Sequence, residues 1–145
     1  MPFSPEDFYE LAKKLVKSAD EASHRTAISR IYYSVFLQLR ILFEFVLFNT
    51  DSELHKEYMK NYKKGRMHSI LLKMLKEINP VKGNYFSRLQ KERRKSDYDI
   101  QLEVTKRNAE YALLLAPMIL SNIEKEVTKV KNPKIKRKIK EILKN

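Results

Sequence analysis

Glycine is almost absent from this chain, which has two glycines among its 145 residues. Glycine supplies the left-handed turns of hairpins and the backbone of phosphate-cradling loops, so its scarcity argues against a β-rich fold and against a P-loop nucleotide site. A chain of this length is long enough for one domain with its own core and too short for two. The sequence therefore predicts a single all-α domain.

Apolar residues recur at helical spacing in four long segments of the chain. Four main helices are accordingly expected over residues 5–18, 22–48, 67–78 and 105–130. Because the links between them are short, these helices are predicted to form an antiparallel, up-and-down bundle of four to five helices. Pro117 lies inside the last segment and is expected to kink or split it.

The remaining segments are more polar. A short helix is expected within residues 49–66, whereas residues 82–99 are expected to be mostly loop. Residues 134–144 have the pattern of a short, basic, amphipathic helix. The predicted organisation is a helical bundle over residues 1–130, followed by a basic amphipathic tail over residues 131–145.

The second predicted helix is apolar on two sides. Beside its main apolar face, a second side carries Tyr33, Leu37, Ile41, Phe45 and Phe48. A surface helix needs only one apolar stripe, so the second one indicates packing on both sides or a subunit interface. We expect a homodimer formed through this second side and the neighbouring fourth helix.

Composition restricts the chemistry and the location of the protein. The chain has no cysteine, which excludes disulfides and thiolate metal sites and suits a cytosolic protein. Its three histidines lie far apart and show no metal-binding spacing, so neither a metal nor a cofactor is expected.

The most apolar run, residues 41–48, is interrupted by Glu44 and is too short to cross a bilayer. Residues 1–7 are acidic, unlike a signal peptide. We expect a cytoplasmic protein that does not contact the membrane.

The formal net charge of +12 favours contact with a polyanion through phosphate neutralisation and release of counterions. The alternative is a solvated, lysine-rich surface of the kind found in heat-adapted proteins. Residues 131–145 carry seven Lys or Arg and one Glu. This tail could add electrostatic affinity for a polyanion, lie on an acidic partner helix through its isoleucines and leucine, or simply be solvated.

Two motifs resemble those of a known family. Residues 27–36, which read AISRIYYSVF, resemble the A-x-S-R-x-Y-Y-x-x-F helix of HEPN proteins, the higher-eukaryote and prokaryote nucleotide-binding domain. Residues 93–98, RRKSDY, are similar to the R-x-x-A-D-Y loop of one prokaryotic branch of that family. His68 fits the histidine that often opens the corresponding third helix. The order and spacing agree over roughly residues 5–128.

The resemblance implies a dimeric helical bundle with a cleft between its subunits. Many HEPN proteins are metal-independent ribonucleases, and many are toxins neutralised by a minimal nucleotidyltransferase. Their usual catalytic signature is an Arg followed, after four to six residues, by His, but this chain has no histidine after His68. The resemblance thus implies an RNA- or nucleotide-binding protein of toxin–antitoxin or defence type, acting with a nucleotidyltransferase partner. Any ribonuclease activity would be weak or would use atypical groups.

Metal-free RNA cleavage needs a base, an acid and a cation for the developing phosphorane charge. The candidate catalytic residues are Arg93 as the cation, a role that Arg94 could also fill, with Asp97, Tyr98 or His68 for proton transfer. The alternative is structural: Asp97 forms an ion pair with an arginine, and Tyr98 packs beneath it. Arg30 lies on an apolar helix and therefore needs a carboxylate partner, for which Asp97 is the candidate.

Basic residues interleaved with aromatic ones favour phosphate contact combined with base stacking. The candidate nucleic-acid-binding residues are Arg30, Lys63, Lys64, Arg66, Arg88, Lys91, Arg94 and Lys95. The competing function is that of a non-catalytic, dimeric interaction or adaptor module, whose basic surface binds an acidic protein or serves solubility.

Overall fold

The computed structural model describes residues 3–144, and no strand occurs among them, so the predicted all-α class is confirmed. The domain limits expected at Met1 and Asn145 lie outside the described residues. The helices, in chain order, are α1 (Pro5–Val16), α2 (Glu21–Thr50), α3 (Ser52–Lys63), α4 (Met67–Ile78), α5 (Pro80–Tyr98), α6 (Lys106–Leu120), α7 (Ile123–Val127) and α8 (Pro133–Lys144), with a 3₁₀ turn at Thr128–Lys131 between the last two.

The helices form two compact units, and both α2 and α5 contribute residues to each unit. The first unit comprises the described residues up to Leu37 together with Tyr85–Ser121. Its core is built from the apolar stripes of α1, α2, α5 and α6, and the ring of Tyr32 stacks on that of Phe86 at 5.7 Å between centroids. Helix α1 begins, as expected, at Ser4, whose side chain and that of Asp7 form a reciprocal capping box.

The second unit comprises Gln38–Asn84 and the described residues from Asn122 onward. Its centre is α4, which buries an apolar row and packs against α3, α7 and α8. Two glycines have special positions in it, Gly65 after α3 and Gly83 in the first turn of α5. Gly65 has a φ of 70° and ends α3, since its N–H bonds to the Tyr62 carbonyl and the next N–H reaches Asn61. At Gly83, a Cβ atom would lie 2.8 Å from the Cα of Lys76, so only glycine allows this close approach.

The prediction that residues 82–99 are mostly loop is wrong, because α5 is continuous from Pro80 to Tyr98. Asn79 and Pro80, which signal the end of α4, also begin this next helix. The Asn79 side chain accepts a hydrogen bond from the Lys82 N–H at 3.0 Å, and proline is well suited to the first helical turn. Burial of Phe86 and Leu89 then stabilises a helix whose sequence is mostly polar.

The expected fourth helix is split, as the position of Pro117 suggested. The break lies a few residues after the proline, at Ser121 and Asn122, where Asn122 takes a left-handed conformation with a φ of 54°. Helix α6 continues through Pro117 and ends at Leu120. The segment predicted as one helix is therefore α6, α7 and the 3₁₀ turn.

Among the described residues, α2 is the one helix whose length and composition would allow it to cross a membrane, with a mean hydropathy of 1.6 over its most apolar stretch. Of that stretch, 44% is buried within the protein. A long core helix meets the same criteria. The sequence-based expectation of no membrane contact stays a prediction.

Candidate nucleic-acid interface on helix α5

Because residues 82–98 are helical, four of the basic residues of this segment and one tyrosine share one side of α5. Successive residues of an α-helix are rotated by about 100°, which places the five side chains within an arc of about 120°. All five are exposed, and Tyr98 is 70% exposed. We call this set the α5 face: Arg88, Lys91, Arg94, Lys95 and Tyr98.

Arg93 points toward α2 and lies close to three aromatic rings. Its guanidinium lies 5.5 Å from the ring centroid of Tyr32, 5.3 Å from that of Tyr33 and 5.5 Å from that of Tyr98. Its Nη2 donates to the Tyr33 hydroxyl at 2.8 Å, and its Nε lies 2.8 Å from Oδ2 of Asp97. The Arg93 side chain is 17% exposed. These contacts hold the end of α5 against α2.

The electrostatics of this cluster keep Arg93 charged and Tyr32 neutral. Burial alone lowers the pKa of Arg93, but the Coulombic interactions with Tyr33, Asp97 and Tyr98 outweigh it, and the pKa is raised. Burial raises the pKa of Tyr32 to about 12. The Tyr32 hydroxyl accepts a hydrogen bond from the Gln90 amide at 3.2 Å. The cluster is thus a packed and largely satisfied contact between two helices.

Of the catalytic candidates, the structure brings Arg93, Asp97 and Tyr98 together. The structural alternative considered for Asp97, an ion pair with an arginine, is observed, and Arg93 is that arginine. The expected pair between Arg30 and Asp97 is wrong. Asp97 lies four residues after Arg93 on the same helix, so the local pair forms readily.

Arg30 is stabilised by aromatic rings instead of a carboxylate. Its guanidinium lies 4.8 Å from the ring centroid of Phe8 and 5.6 Å from that of Tyr33. Within the described part of the chain, no carboxylate lies within 4.0 Å of it, and its Nε atom is buried without a hydrogen-bond partner. A half-buried guanidinium can be accommodated by stacking and cation–π contacts, which do not require an opposite charge.

Arg25 was not singled out in the sequence, yet it organises the end of the candidate site. Its guanidinium donates to the backbone carbonyls of Lys95 at 3.1 Å, Ser96 at 2.9 Å and Asp99 at 2.9 Å, and also to that of Leu102. These carbonyls belong to the last turn of α5 and the loop that follows it. A cation at this position adds a donor to carbonyls at the C-terminal end of the helix, of which that of Lys95 also accepts the Asp99 N–H at 3.1 Å, and it complements the negative end of the helix.

Glu21, one helical turn before Arg25, holds the same loop. We call Arg25 and Glu21, with the backbone groups that they bind, the Arg25 clamp. Oε1 of Glu21 accepts the N–H of Val104 at 2.7 Å and lies 3.3 Å from Nη2 of Arg25. The Val104 N–H, followed by the charge of Arg25, lowers the pKa of Glu21 although partial desolvation opposes the shift. The only sequence signal for this arrangement is the spacing of Glu21 and Arg25, which is that of an ordinary intrahelical pair.

The Arg25 clamp and the α5 face border an open depression of about 720 Å³. It is lined by Arg93, Arg94, Lys95, Tyr98, Asp99, Ile100 and Gln101. Ile100 is 89% exposed, and the side chain of Asp99 accepts the N–H groups of the two residues after Ile100. The depression therefore combines cations with exposed apolar and aromatic surface.

The other predicted site residues belong to the second unit. Lys63 and Lys64 are exposed at the end of α3, whereas Arg66 and His68 are half-buried around the start of α4. The proton-transfer role of His68 stays a prediction. Over residues 3–144, no group of three or more His, Asp or Glu side chains is placed to hold a metal ion.

Comparison with known proteins identifies a relative of unknown activity. Over 108 residues the chain is 33% identical to the uncharacterized protein MJ0628 of Methanocaldococcus jannaschii. The match covers 68% of this chain and 65% of that protein's length. No family model matches the chain, and no solved structure matches it. The relative's name states no activity, so a functional argument depends on the geometry of the site.

Proposed function

We propose that this protein is a HEPN-like, single-stranded RNA-binding protein whose α5 face contacts the RNA. The observation that carries the proposal is the single exposed side of α5 that presents four cations and a phenol ring next to an open depression. Cations that track the phosphate backbone, together with an aromatic side chain on which a base can stack, are the two elements of single-strand binding.

The charges of the α5 face are largely free to meet a ligand. Lys91 and Arg94 have no carboxylate within 4.0 Å among residues 3–144, and Lys95 lies 3.7 Å from a carboxylate oxygen of Glu92, whose side chain is 17% exposed. Ion pairs between residues one helical turn apart contribute only about 0.2–0.5 kcal/mol. Arg88 lies over the ring of Tyr85, 5.9 Å from its centroid.

The HEPN-like assignment is supported by the contact between the two motifs that resemble this family. Tyr33 belongs to the first motif and Arg93 to the second, and their side chains are hydrogen-bonded. On this basis we also propose the role implied by the resemblance, a component of a toxin–antitoxin or defence system, located in the cytoplasm, that acts with a minimal nucleotidyltransferase partner. Of the predicted bundle of four to five helices, the all-α class is observed, and residues 3–144 form eight α-helices.

Ribonuclease activity, if the protein has any, would be weak or would use atypical groups around Arg93 and Asp97. The guanidinium of Arg93 is already engaged by Tyr33 and Asp97. Arg94, which is exposed beside it, is the cation available to a phosphate.

The test of this activity is incubation of labelled single-stranded RNA with the protein and a chelator, next to an Arg94→Gln variant. Equal cleavage by both proteins would exclude a role for Arg94 in the reaction.

RNA binding is tested by fluorescence anisotropy with labelled single-stranded RNA over a series of salt concentrations. In the triple variant Lys91→Gln, Arg94→Gln, Lys95→Gln, the slope of log K against log salt should fall by about 0.7 for each phosphate that the protein no longer neutralises, or about 2 in all. A separate Tyr98→Ala variant should bind about tenfold more weakly through loss of stacking.

The matched control removes three exposed charges from the end of α1 and its C-cap in the same unit, as Lys13→Gln, Lys14→Gln, Lys17→Gln. This control should bind RNA almost as the wild-type protein does. Equal weakening in the two triple variants would mean that net charge alone governs binding. Absence of RNA binding by the wild-type protein would refute the proposal.

A second candidate function, a dimeric interaction module, is favoured by exposed aromatic residues on the C-terminal part of α2. Phe45 is 66% and Phe48 67% exposed, and with Ile41 they line a depression of about 440 Å³ in the second unit. Large exposed apolar side chains of this kind mark contact surfaces. Separately, α6 exposes Leu114 and Met118. We propose a homodimer that uses these surfaces.

Sedimentation velocity distinguishes the monomer from the dimer. The Phe45→Glu variant should sediment as a monomer at concentrations where the wild-type protein is dimeric, because a carboxylate in an apolar interface is costly to desolvate. Ser52→Glu adds the same charge at an exposed position outside this surface and should leave the dimer intact. An unchanged mass for Phe45→Glu would refute this interface.

A further inference from the structure

The basic tail is a packed helix of the second unit. Helix α8 contacts α3 and α4, and it buries Ile139 and Leu143. The buried side-chain amide of Asn61 donates to the Leu143 carbonyl at 2.9 Å, which fixes the C-terminal end of α8. Ile139 and Leu143 are therefore not available to a partner helix, whereas Ile135 and Ile142 are half-buried.

The lysines at the sides of α8 have carboxylate partners. Lys136 lies 3.5 Å from Oδ2 of Asp51, and Lys138 lies 3.7 Å from Oε2 of Glu77. Both contacts join α8 to helices of its own unit. They define the rotation of α8 about its axis and therefore which residues face outward.

The side of α8 next to α3 carries a row of cations that have no such partner. They line a groove of about 380 Å³ whose carboxylates, those of Asp51, Glu53 and Glu57, already pair with Lys136, Lys56 and Lys60. Arg137, Lys140 and Lys144 are all exposed, and no carboxylate lies within 4.0 Å of any of them in the part of the chain that the structure describes. At about 100° and 1.5 Å per residue, they fall within an arc of about 60° and span about 10 Å. We call these three residues the α8 row.

We infer that the α8 row is a second RNA-binding surface, which contacts the phosphate backbone without reading sequence. This inference rests on the proposed function in that its ligand is RNA, but it places the contact on a different helix. The row has cations and no exposed aromatic ring, so it can neutralise phosphates but cannot stack bases. Because α8 is held by its packing, little backbone order has to be gained on binding.

RNA fits this surface better than a membrane does. A helix that binds at a membrane interface inserts its apolar side between the lipids. In α8 the two central residues of that side, Ile139 and Leu143, are buried in the protein. The side that remains exposed is basic, with Glu141 as the acidic residue among the exposed positions of α8.

The experiment compares three triple variants by anisotropy with labelled poly(U) and poly(A) over a salt series. The first is Arg137→Gln, Lys140→Gln, Lys144→Gln; the second is the α5 variant Lys91→Gln, Arg94→Gln, Lys95→Gln; the third is the α1 control. Each removes three positive charges from exposed positions, and circular dichroism checks that each is folded. The α8 variant should lower the salt slope by about 2 and weaken both homopolymers by the same factor.

The outcomes separate this inference from the proposed function. An α8 variant that binds like the α1 control, while the α5 variant is weakened, would overturn the inference and leave the α5 face in place. Loss of binding in the α8 variant alone would support the inference and overturn the assignment of the α5 face. If the wild-type protein binds neither homopolymer, both are overturned.

A membrane ligand is tested in parallel with vesicles of phosphatidylcholine and phosphatidylglycerol. Wild-type binding to these vesicles that the α8 variant loses, with its RNA binding unchanged, would assign the row to lipid and overturn the inference. Absence of vesicle binding, together with the reduced salt slope on RNA, would support it.

Discussion

The hydroxyl of Tyr9 on α1 donates a hydrogen bond to the backbone carbonyl of Leu113 in α6, with 3.2 Å between the two oxygens. In a regular helix this carbonyl would accept the N–H of residue 117. Residue 117 is proline, which has no N–H. Tyr9 thus supplies the donor that Pro117 lacks, and α6 continues past the proline.

We expect Tyr9→Phe to lower the free energy of unfolding by about 1 kcal/mol, because it leaves a partly buried carbonyl without its donor. In a Pro117→Ala background the helix regains its own N–H, so the same substitution should cost less. Urea denaturation of the four proteins of this double-mutant cycle gives the coupling energy. Equal costs in both backgrounds would show that the two residues act independently.

The aromatic enclosure of Arg93 leads to a prediction about stability. Arg93→Lys keeps the charge but loses the planar group that faces the rings of Tyr32, Tyr33 and Tyr98, and should lower the free energy of unfolding by about 1–2 kcal/mol. The matched control is Arg94→Lys, at the adjacent exposed position. It should change stability by less than about 0.5 kcal/mol. If the two variants are equally stable, the enclosure does not stabilise the fold.

The Arg25 clamp predicts a local effect at the end of α5. Arg25→Met keeps most of the side-chain volume but removes the donors to the carbonyls of Lys95, Ser96 and Asp99. Hydrogen exchange of the amides near residue 99 should become about tenfold faster, equivalent to about 1.4 kcal/mol. Arg107→Met, at an exposed position of α6, is the control and should leave these rates unchanged. Unaltered exchange in Arg25→Met would show that the loop is held by other contacts.

The pKa of Tyr32, raised by burial to about 12 from an ordinary 10.0, predicts a loss of stability at high pH. Between these values the unfolded chain loses the phenol proton while the folded protein keeps it, so ionisation favours the unfolded state as the pH rises. The contribution is fully present below pH 10 and disappears as the pH approaches 12. Tyr32→Phe, compared with wild type by denaturation at several pH values, should show a shallower decline above pH 10. Parallel declines would mean that Tyr32 does not titrate abnormally.

Much of the helical framework follows from local patterns. Ser4 and Asp7 cap α1, Thr105 caps α6, and residues 133–144 form the predicted basic amphipathic helix. Capping and helical periodicity are local properties that involve residues a few positions apart, so the sequence displays them directly. The location of α5 was missed because its apolar residues are few and its charged residues resemble those of a loop.

The sequence predicted several residues of the candidate site but not which of them contact one another. The sequence predicts that residues 93–98 meet the helix around Tyr33, but it leaves open whether Arg93 or Arg94 faces a phosphate, and it wrongly pairs Arg30 with Asp97. The pairing depends on which side of α5 packs against α2, and this is decided by the burial of Phe86 and Leu89. Arg25 could not have been identified, because its acceptors are backbone carbonyls 70 or more residues away.

The sequence alone determined the helical class, the positions of most helix ends and the excess of positive charge, since propensity, capping and charge belong to individual residues and their near neighbours. Tertiary structure decided which cations are enclosed and which are exposed. Arg93 is surrounded by tyrosines while Arg94, the next residue, faces solvent, because a helix turns by about 100° per residue and only one side of it can pack.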